Sequence, residues 1–173
     1  MASKKTSMFT LTERVTVSTA SAATATIDLG SYVDVGDRQA LQIHSVDFIY
    51  QGTTAGGDIA LAIGAGEGAH VQVTDLNRGG LVFADDRALV ASGSLYVSAQ
   101  QGLDHESDLY PDNYGKGSDD GRYVVNDQLY ITASTTVAPA APYNVTVRVN
   151  ASIVSLTAKD FMAIAIQSTA ADN

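Results

Sequence analysis

A strict alternation of apolar and polar side chains over residues 143–153 constrains this chain more than any other feature of its sequence. The apolar set begins at Tyr143 and ends at Ile153, with asparagine, threonine, arginine and serine at the positions between. A period of two residues is the repeat of a β-strand that buries one face. Residues 9–17 show a similar alternation, so both segments are predicted to be half-buried strands.

Shorter segments with strand character fill most of the remaining chain. A phase shift of the apolar positions within residues 40–50 indicates a β-bulge inside one strand. The dipeptide Ser92-Gly93, between two apolar runs, is interpreted as a hairpin turn. The other predicted strands are residues 24–29 as a partner of 9–17, then 59–63, 71–73, 81–83, 89–91, 95–99, and 123–131 with a break at Asn126-Asp127.

This succession of about eight to ten short strands predicts an all-β protein. Little helix and no alternation of strands with helices favour an antiparallel β-sandwich or barrel over a parallel α/β fold. The length of 173 residues suits one domain, residues 1–173. Within it, residues 1–8 are predicted to be a polar N-terminal arm, residues 102–121 a long acidic loop and residues 157–168 a short helix.

The C-terminal segment allows two interpretations. Thr157 suits the N-cap of a helix with Asp160 three residues later, a weak form of the capping box. That helix places three apolar residues on one stripe: Phe161, Ile164 and Ala165. The alternative is a final strand with the even-numbered apolar residues of 162–166 on one face. We favour the helix.

The charge balance argues against several classes of function. The net charge is −9, and sixteen of the nineteen acidic residues are aspartates, which favour turns over helices. Such a surface would repel nucleic acid and anionic lipid, and Lys4 and Lys5 are too few for a basic arm. We therefore expect no direct binding to nucleic acid. The chain has no cysteine, which excludes disulfides and thiolate metal sites.

The sequence predicts neither a secretory signal nor a transmembrane segment. No apolar segment follows the two lysines near the start, and the longest nearly apolar run is residues 161–166. We therefore expect synthesis and folding in a cytoplasm.

Residues 102–121 are the longest stretch without periodicity, and loops of this length usually have a function or a partner. Their carboxylates suggest Ca²⁺, but residues 112–120 lack EF-hand spacing, so a solvated loop is the simpler interpretation. His105 lies between Asp104 and Glu106, yet adjacent side chains of an extended segment point to opposite sides. A metal site there is not predicted.

Other candidate groups have structural explanations. His44 and His70 lie in predicted strands without a second ligand at metal spacing, and are expected to be partly buried structural residues. The glycines within residues 64–68 precede a strand, which indicates a tight turn rather than a dinucleotide site. Sequons at Asn144 and Asn150 lie within a strand and are discounted. We predict no catalytic, cofactor-binding or metal-binding residue, no small-molecule substrate and no enzymatic activity.

Five segments of the chain share their order and size with a known family. They are the short polar start before residues 9–17, the Asp-rich loop before the sequence RYVV, the sequence NDQLYI, the long last strand over residues 143–156 and the amphipathic tail over residues 157–167. Over its whole length the chain resembles the single jelly-roll capsid proteins of membrane-containing icosahedral viruses of archaea and thermophilic bacteria. The resemblance lies in size and architecture, and it transfers no functional residues.

The resemblance implies eight strands in two facing sheets of jelly-roll type. It also implies a virion protein that self-associates into capsomers and contacts a second coat protein or an inner membrane. The missing basic arm fits a shell that another layer separates from the genome.

Two other classes stay open. One is a decoration, turret or fibre protein of a virion. The other is a sugar- or calcium-binding β-sandwich, whose ligand would contact Tyr110, Tyr114 or Asp112.

Overall fold

The computed structural model describes residues 3–53, 59, 62–98, 102–106 and 121–169. Ten strands and one helix lie within these ranges. They are β1 (Ser3–Lys4), β2 (Phe9–Val17), β3 (Ala23–Asp28), β4 (Gln39–Gly52), β5 (Gly68–Thr74), β6 (Leu89–Val97), β7 (Leu103–Glu106), β8 (Arg122–Val124), β9 (Gln128–Thr135), β10 (Tyr143–Ser155) and α1 (Ala158–Thr169).

The strands build two five-stranded antiparallel sheets. In sheet A, β1 and β2 pair with one edge of β10, β4 pairs with its other edge, and β8 pairs with β4. Sheet B has the order β3-β9-β5-β6-β7. The strand predicted at residues 24–29 is present as β3, but it pairs with β9 and not with β2. The short connection between β2 and β3 therefore crosses from one sheet to the other.

The strand pairs are nested in the manner of a jelly roll. β2 pairs with β10, β3 with β9, β4 with β8 and β5 with β6. One long hairpin that rolls up into two facing sheets gives this nested order, and the result is the eight-strand jelly roll. The predicted all-β sandwich of jelly-roll type is confirmed. β1 and β7 are short additions at the sheet edges.

The alternation that predicted β10 buries the expected face. Tyr143, Val147 and Ala151 are fully buried, whereas Arg148 on the opposite face is exposed. Inward side chains of β2, β4 and β10 meet those of β3, β5, β6 and β9 in one core cluster. Each large aliphatic side chain buried there stabilises the fold by about 1.5 to 3 kcal/mol.

The phase shift predicted within β4 is a β-bulge. β4 and β10 change register between Asn150 and Ala151, which leaves His44 as the extra residue of the ladder. As a result, Ile43 before the bulge and Phe48 after it are both buried in the core.

The hairpin turn predicted at Ser92-Gly93 is wrong. Both residues lie inside one continuous strand, β6, where Gly93 pairs with Val71 of β5. A glycine is needed because the Phe48 ring comes across from sheet A: a Cβ on Gly93 would lie 2.6 Å from Phe48 Cδ2. Here the glycine marks a place where the two sheets approach closely. A rule based on local sequence does not distinguish such a glycine from a glycine in a turn.

Two of the short strand predictions are also wrong. In place of a strand over residues 59–63, the N–H groups of Ala62 and Ile63 donate to the Ile59 carbonyl at 3.0 and 3.1 Å, as in one turn of helix. The side chains of Ile59, Ala62 and Ile63 are buried. A turn whose apolar side chains enter the core thus has an apolar spacing that resembles that of a strand. Residues 81–83 belong to a loop between β5 and β6 and form no strand.

The first part of the stretch predicted as a long acidic loop forms a strand, since β7 pairs with the end of β6. β8 begins at Arg122, directly after the predicted loop, and residues 107–120 lie outside the described part of the chain. The predicted break at Asn126-Asp127 is confirmed, since it separates β8 in sheet A from β9 in sheet B.

The predicted polar arm, residues 1–8, runs along β10 where the structure describes it. β1 pairs with Val154 and Ser155. Beyond β1, Lys5 N–H donates to the Ile153 carbonyl at 2.8 Å, and Thr6 Oγ1 accepts Ile153 N–H at 2.9 Å.

Helix α1 confirms the helical interpretation of the C-terminal segment. Thr157 Oγ1 accepts the Asp160 N–H at 3.2 Å and donates to the Asp160 carboxylate at 2.8 Å. The predicted stripe packs on a second apolar cluster on the outer face of sheet A, formed by Ala40, Val125, Val154 and Leu156. No helix in the described ranges has the length and hydropathy to cross a membrane.

Replacing Thr157 with alanine is expected to lower the free energy of unfolding by about 1 kcal/mol, because the Asp160 N–H loses its capping oxygen. Thermal or urea unfolding measures this. Thr157→Ser keeps a hydroxyl and should stay close to the wild type. Equal stability of all three proteins would contradict the cap.

Candidate contact surface

Residues 75–88 connect β5 to β6, and we call them the Phe83 loop. Gln72 of β5 holds this loop on the outer face of sheet B. Its Nε2 donates to the Val82 carbonyl at 2.8 Å, and its Oε1 accepts the Val82 N–H at 2.7 Å. The side-chain amide thus donates one hydrogen bond and accepts another, as the backbone of a neighbouring strand would. Ser92 and Thr132, which flank Gln72 in register, are buried, as a covering loop requires.

An ion pair closes the Phe83 loop on itself. Arg78 Nε lies 3.0 Å from Asp86 Oδ2, and Arg78 Nη2 donates to Asp86 Oδ1 at 3.1 Å, so the contact is bidentate. Asp86 Oδ1 also accepts the Ala88 N–H at 2.8 Å, which fixes the return to β6. Asn77 Oδ1 accepts the N–H of Gly79, whose φ of 68° suits glycine.

Asp75, the first residue of the Phe83 loop, joins the two sheets. Its side chain is 2% exposed, and its Oδ2 lies 3.6 Å from Nη2 of Arg122 in β8. The same Arg122 guanidinium donates to the Arg87 carbonyl near the other end of the loop. Asn126 Nδ2 donates to the Asp75 carbonyl at 2.6 Å. Arg122 of β8 in sheet A and Asn126, which follows β8, thereby hold both ends of a loop that connects two strands of sheet B.

The environment of Asp75 shifts its protonation. Burial raises the pKa of this carboxyl from its ordinary value of 3.8 to about 6, although the Arg122 guanidinium opposes the rise. Oδ1 has no hydrogen-bond partner within the described residues. The folded state therefore binds a proton more tightly than the unfolded state. The free energy of unfolding therefore falls as the pH rises from about 4 to about 6. Above pH 6 this carboxyl causes no further loss of stability.

The tied loop presents apolar side chains to solvent. Phe83 is 87% exposed and Leu81 is 41% exposed, on either side of the clamped residue Val82. Single exposed apolar residues are common, but a large aromatic on a preorganised backbone resembles the anchors that dominate protein interfaces. The Phe83 loop is therefore the candidate contact surface.

The histidines predicted to be structural lie in strands. Burial lowers the pKa of His44, with Lys4 adding to the effect, and burial also lowers the pKa of His70. His44 Nε2 lies 2.9 Å from Ser152 Oγ on the outer face of sheet A. Across the part of the chain that the structure describes, no group of three or more His, Asp or Glu side chains could hold a metal ion.

The residues considered for calcium or sugar binding are not tested by the structure. Asp112, Tyr110 and Tyr114 fall in residues 107–120, outside the described ranges. His105 lies in β7, where its Cα pairs with that of Leu95 in β6.

The glycine-rich turn and the sequon asparagines lie where the sequence predicts them. The glycine-rich residues 64–68 form a turn in which the Glu67 N–H donates to the Gly64 carbonyl at 3.1 Å. The sequon asparagines lie within β10 and bond to its neighbour β2. The Thr16 and Thr10 hydroxyls donate to the side chains of Asn144 and Asn150, respectively, each at 2.7 Å.

Comparison with known proteins returns no match, either among protein-family models or among curated proteins. The function is therefore inferred from the fold and from the Phe83 loop.

Sequence reasoning did not find this surface. The apolar run at residues 81–83 gives only a strand signal, although the preceding Gly79-Gly80 favours a loop. Gln72 and Arg122 give no local signal, because they bond to residues 10 and 35 positions away along the chain.

Gln72→Ala is expected to release the Val82 backbone from sheet B and leave the core intact. Hydrogen exchange at Val82 should accelerate by about tenfold or more, while global stability falls by about 1 kcal/mol. Exchange measured by NMR tests this. Gln51→Ala, an exposed glutamine on β4, is the matched control. Unchanged protection of Val82 would show that the clamp is dispensable.

Proposed function

We propose that this chain is a structural protein, a viral coat subunit that associates with copies of itself into capsomers. Its place is the virion, and its further partners are a second coat protein and an inner membrane. It performs no catalysis.

The observation that carries this proposal is Phe83, an aromatic that is 87% exposed on a loop with at least four side-chain ties. Single exposed apolar residues are common, but this aromatic is held on a tied loop, and rigid presentation lowers the entropy lost when a partner binds. Both features suit a surface that is covered in an assembly.

The jelly-roll fold is compatible with a viral coat subunit, but it is not specific to that function. Jelly rolls build viral capsids, but lectins and cupins also share this architecture. The net charge of −9 predicts that copies repel one another at low ionic strength. Salt should therefore control association, because screening shortens the range of this repulsion.

Association is tested by light scattering on the purified chain from about 0.05 M to about 1 M salt, where the screening length falls several-fold. Electron microscopy of each fraction then shows the form of the products. Capsomers, sheets or shells that grow with salt are the expected result.

Three other outcomes separate the alternatives. Trimers of fixed size without further growth would favour a decoration, turret or fibre protein. A strict monomer at every salt and protein concentration would contradict self-assembly. Saturable binding of Ca²⁺ or a glycan by the monomer, lost in Asp112→Asn or Tyr114→Ala, would favour a ligand-binding module.

A further inference from the structure

The Phe83 loop and the loop between β3 and β4 leave the same end of the sandwich. Leu29 N–H, at the start of the β3–β4 loop, donates to the Asp127 carbonyl at 2.7 Å. The neighbouring Asn126 donates to the Asp75 carbonyl at the start of the Phe83 loop. The turn between β8 and β9 therefore contacts both loops at their first residues.

The β3–β4 loop forms a cleft of about 480 Å³, which we call the β3–β4 cleft; it is lined by residues 30–36 and 39. Tyr32 and Val35 are 48% and 46% exposed there. The loop holds its shape through Asp34 Oδ1, which accepts the N–H groups of Gly36 and Asp37 at 2.8 and 3.3 Å. The Tyr32 ring also stacks on Phe9, with ring centroids 5.6 Å apart. The hydrogen bonds of Asp34 and the stacking of Tyr32 therefore preorganise the cleft.

The two loops differ in their charge balance. Three arginines balance three aspartates around the Phe83 loop: Arg78, Arg87, Arg122, Asp75, Asp85 and Asp86. The cleft side is acidic, since Asp34 and Asp37 outnumber Arg38. In a chain with a net charge of −9, the balanced Phe83 loop is where a second copy can approach with little repulsion. Arg87 on the Phe83 loop is exposed.

We propose that Phe83 of one copy inserts into the β3–β4 cleft of a second copy, with Arg87 facing Asp37 across the contact. This inference rests on the proposed function and names the surfaces that assemble. Each copy offers one Phe83 and one cleft, so the contact is heterologous. A heterologous contact closes into a ring when the rotation between copies closes, and a ring is the form expected of a capsomer.

The first test removes the aromatic. In Phe83→Ser we expect the apparent dissociation constant to rise by about tenfold or more, measured by sedimentation under conditions where the wild type associates. Val137→Ser is the matched control, because Val137 is 46% exposed in the connection between β9 and β10. It should associate like the wild type. Circular dichroism and thermal unfolding should show the same fold in both variants, since neither side chain is in the core.

The second test uses the asymmetry of the contact. Phe83→Ser chains keep a working cleft, and Val35→Ser chains keep a working Phe83. Neither variant should form rings alone, whereas an equimolar mixture should form heterodimers and nothing larger. A symmetric contact through Phe83 would give no such complementation.

The third test exchanges charges. Arg87→Asp should weaken association, and Asp37→Arg in the same chain should restore it, because the opposed pair is then reversed. Recovery in the double variant supports the pairing of these residues, and its failure contradicts it.

The outcomes separate the two proposals. If the wild type assembles and Phe83→Ser assembles equally well, the proposed contact is overturned while the coat function stands. If the wild type assembles but the mixture yields no heterodimer, the cleft is the wrong partner. A wild type that stays monomeric throughout overturns both.

Discussion

Arg122→Leu is expected to lower the free energy of unfolding by about 2 to 3 kcal/mol at pH 8, and by about 1 kcal/mol at pH 4. Arg122 Nη2 lies 3.6 Å from Oδ2 of the buried Asp75 carboxylate. Its removal leaves a charge in a site where water cannot solvate it. The lower end of the range for a broken buried pair applies, because the Arg122 side chain is 25% exposed.

The pH dependence follows from the direction of the pKa shift. In the wild type, the Asp75 pKa of about 6 makes stability fall between about pH 4 and pH 6. Without Arg122 the folded pKa rises further, so the decline continues to higher pH and the deficit grows there. Below about pH 4 the carboxyl is protonated in both states. The variant then loses only its bond to the Arg87 carbonyl and its packing.

Urea unfolding at several pH values measures this effect. Arg148→Leu removes an exposed arginine from the outer face of sheet A and controls for the change in net charge. Adding Asp75→Asn to Arg122→Leu should recover most of the loss at pH 8, because no buried charge remains. A deficit that is equal at pH 4 and pH 8 would contradict the role assigned to Asp75.

Gly93→Ala is expected to destabilise the fold by about 2 to 3 kcal/mol, although alanine is otherwise better than glycine inside a strand. The new Cβ would lie 2.6 Å from Phe48 Cδ2 and 3.1 Å from two further ring atoms. Phe48 is buried in the core and has little room to move away. Chemical denaturation measures the loss.

The contact predicts a specific rescue. Phe48→Leu should be less harmful in the Gly93→Ala background than in the wild type, which a double-mutant cycle detects as a coupling of about 1 kcal/mol or more. Gly80→Ala is the control, since nothing lies within 4 Å of a Cβ at that position. Additive effects of the Gly93 and Phe48 substitutions would show that the ring does not set the requirement for glycine.

The local alternation of apolar and polar residues predicts the strands that bury one face and leave the other more exposed. β2 and β10 were located to the residue at their starts, and the bulge in β4 was predicted from its change of phase. The alternation is local, because each apolar position is set by which face of its own strand is buried. The helix α1 was likewise predicted from its cap and its apolar stripe. These local signals favour a helix over a final strand for this segment.

Residues whose role depends on distant parts of the chain were misjudged or missed. Ser92-Gly93 satisfies a turn rule, yet it lies in a strand, where glycine is needed because Phe48 of the other sheet fills the space above it. Residues 59–63 alternate like a strand in sequence, but the N–H groups of Ala62 and Ile63 donate to the Ile59 carbonyl, and these three side chains are buried. For Gly93 the constraint comes from the facing sheet, which local sequence does not reveal.

The sequence by itself determined that this is an acidic all-β chain with a C-terminal helix, since strand period, helix capping and charge are local properties. Only the tertiary structure decided which sheet each strand joins, why Gly93 must be glycine, and where Phe83 is displayed. Those features depend on contacts such as Arg122 with the Arg87 carbonyl, 35 residues away. The physical reason is that folding brings such partners together through the packing of both sheets at once, and no single segment encodes that packing.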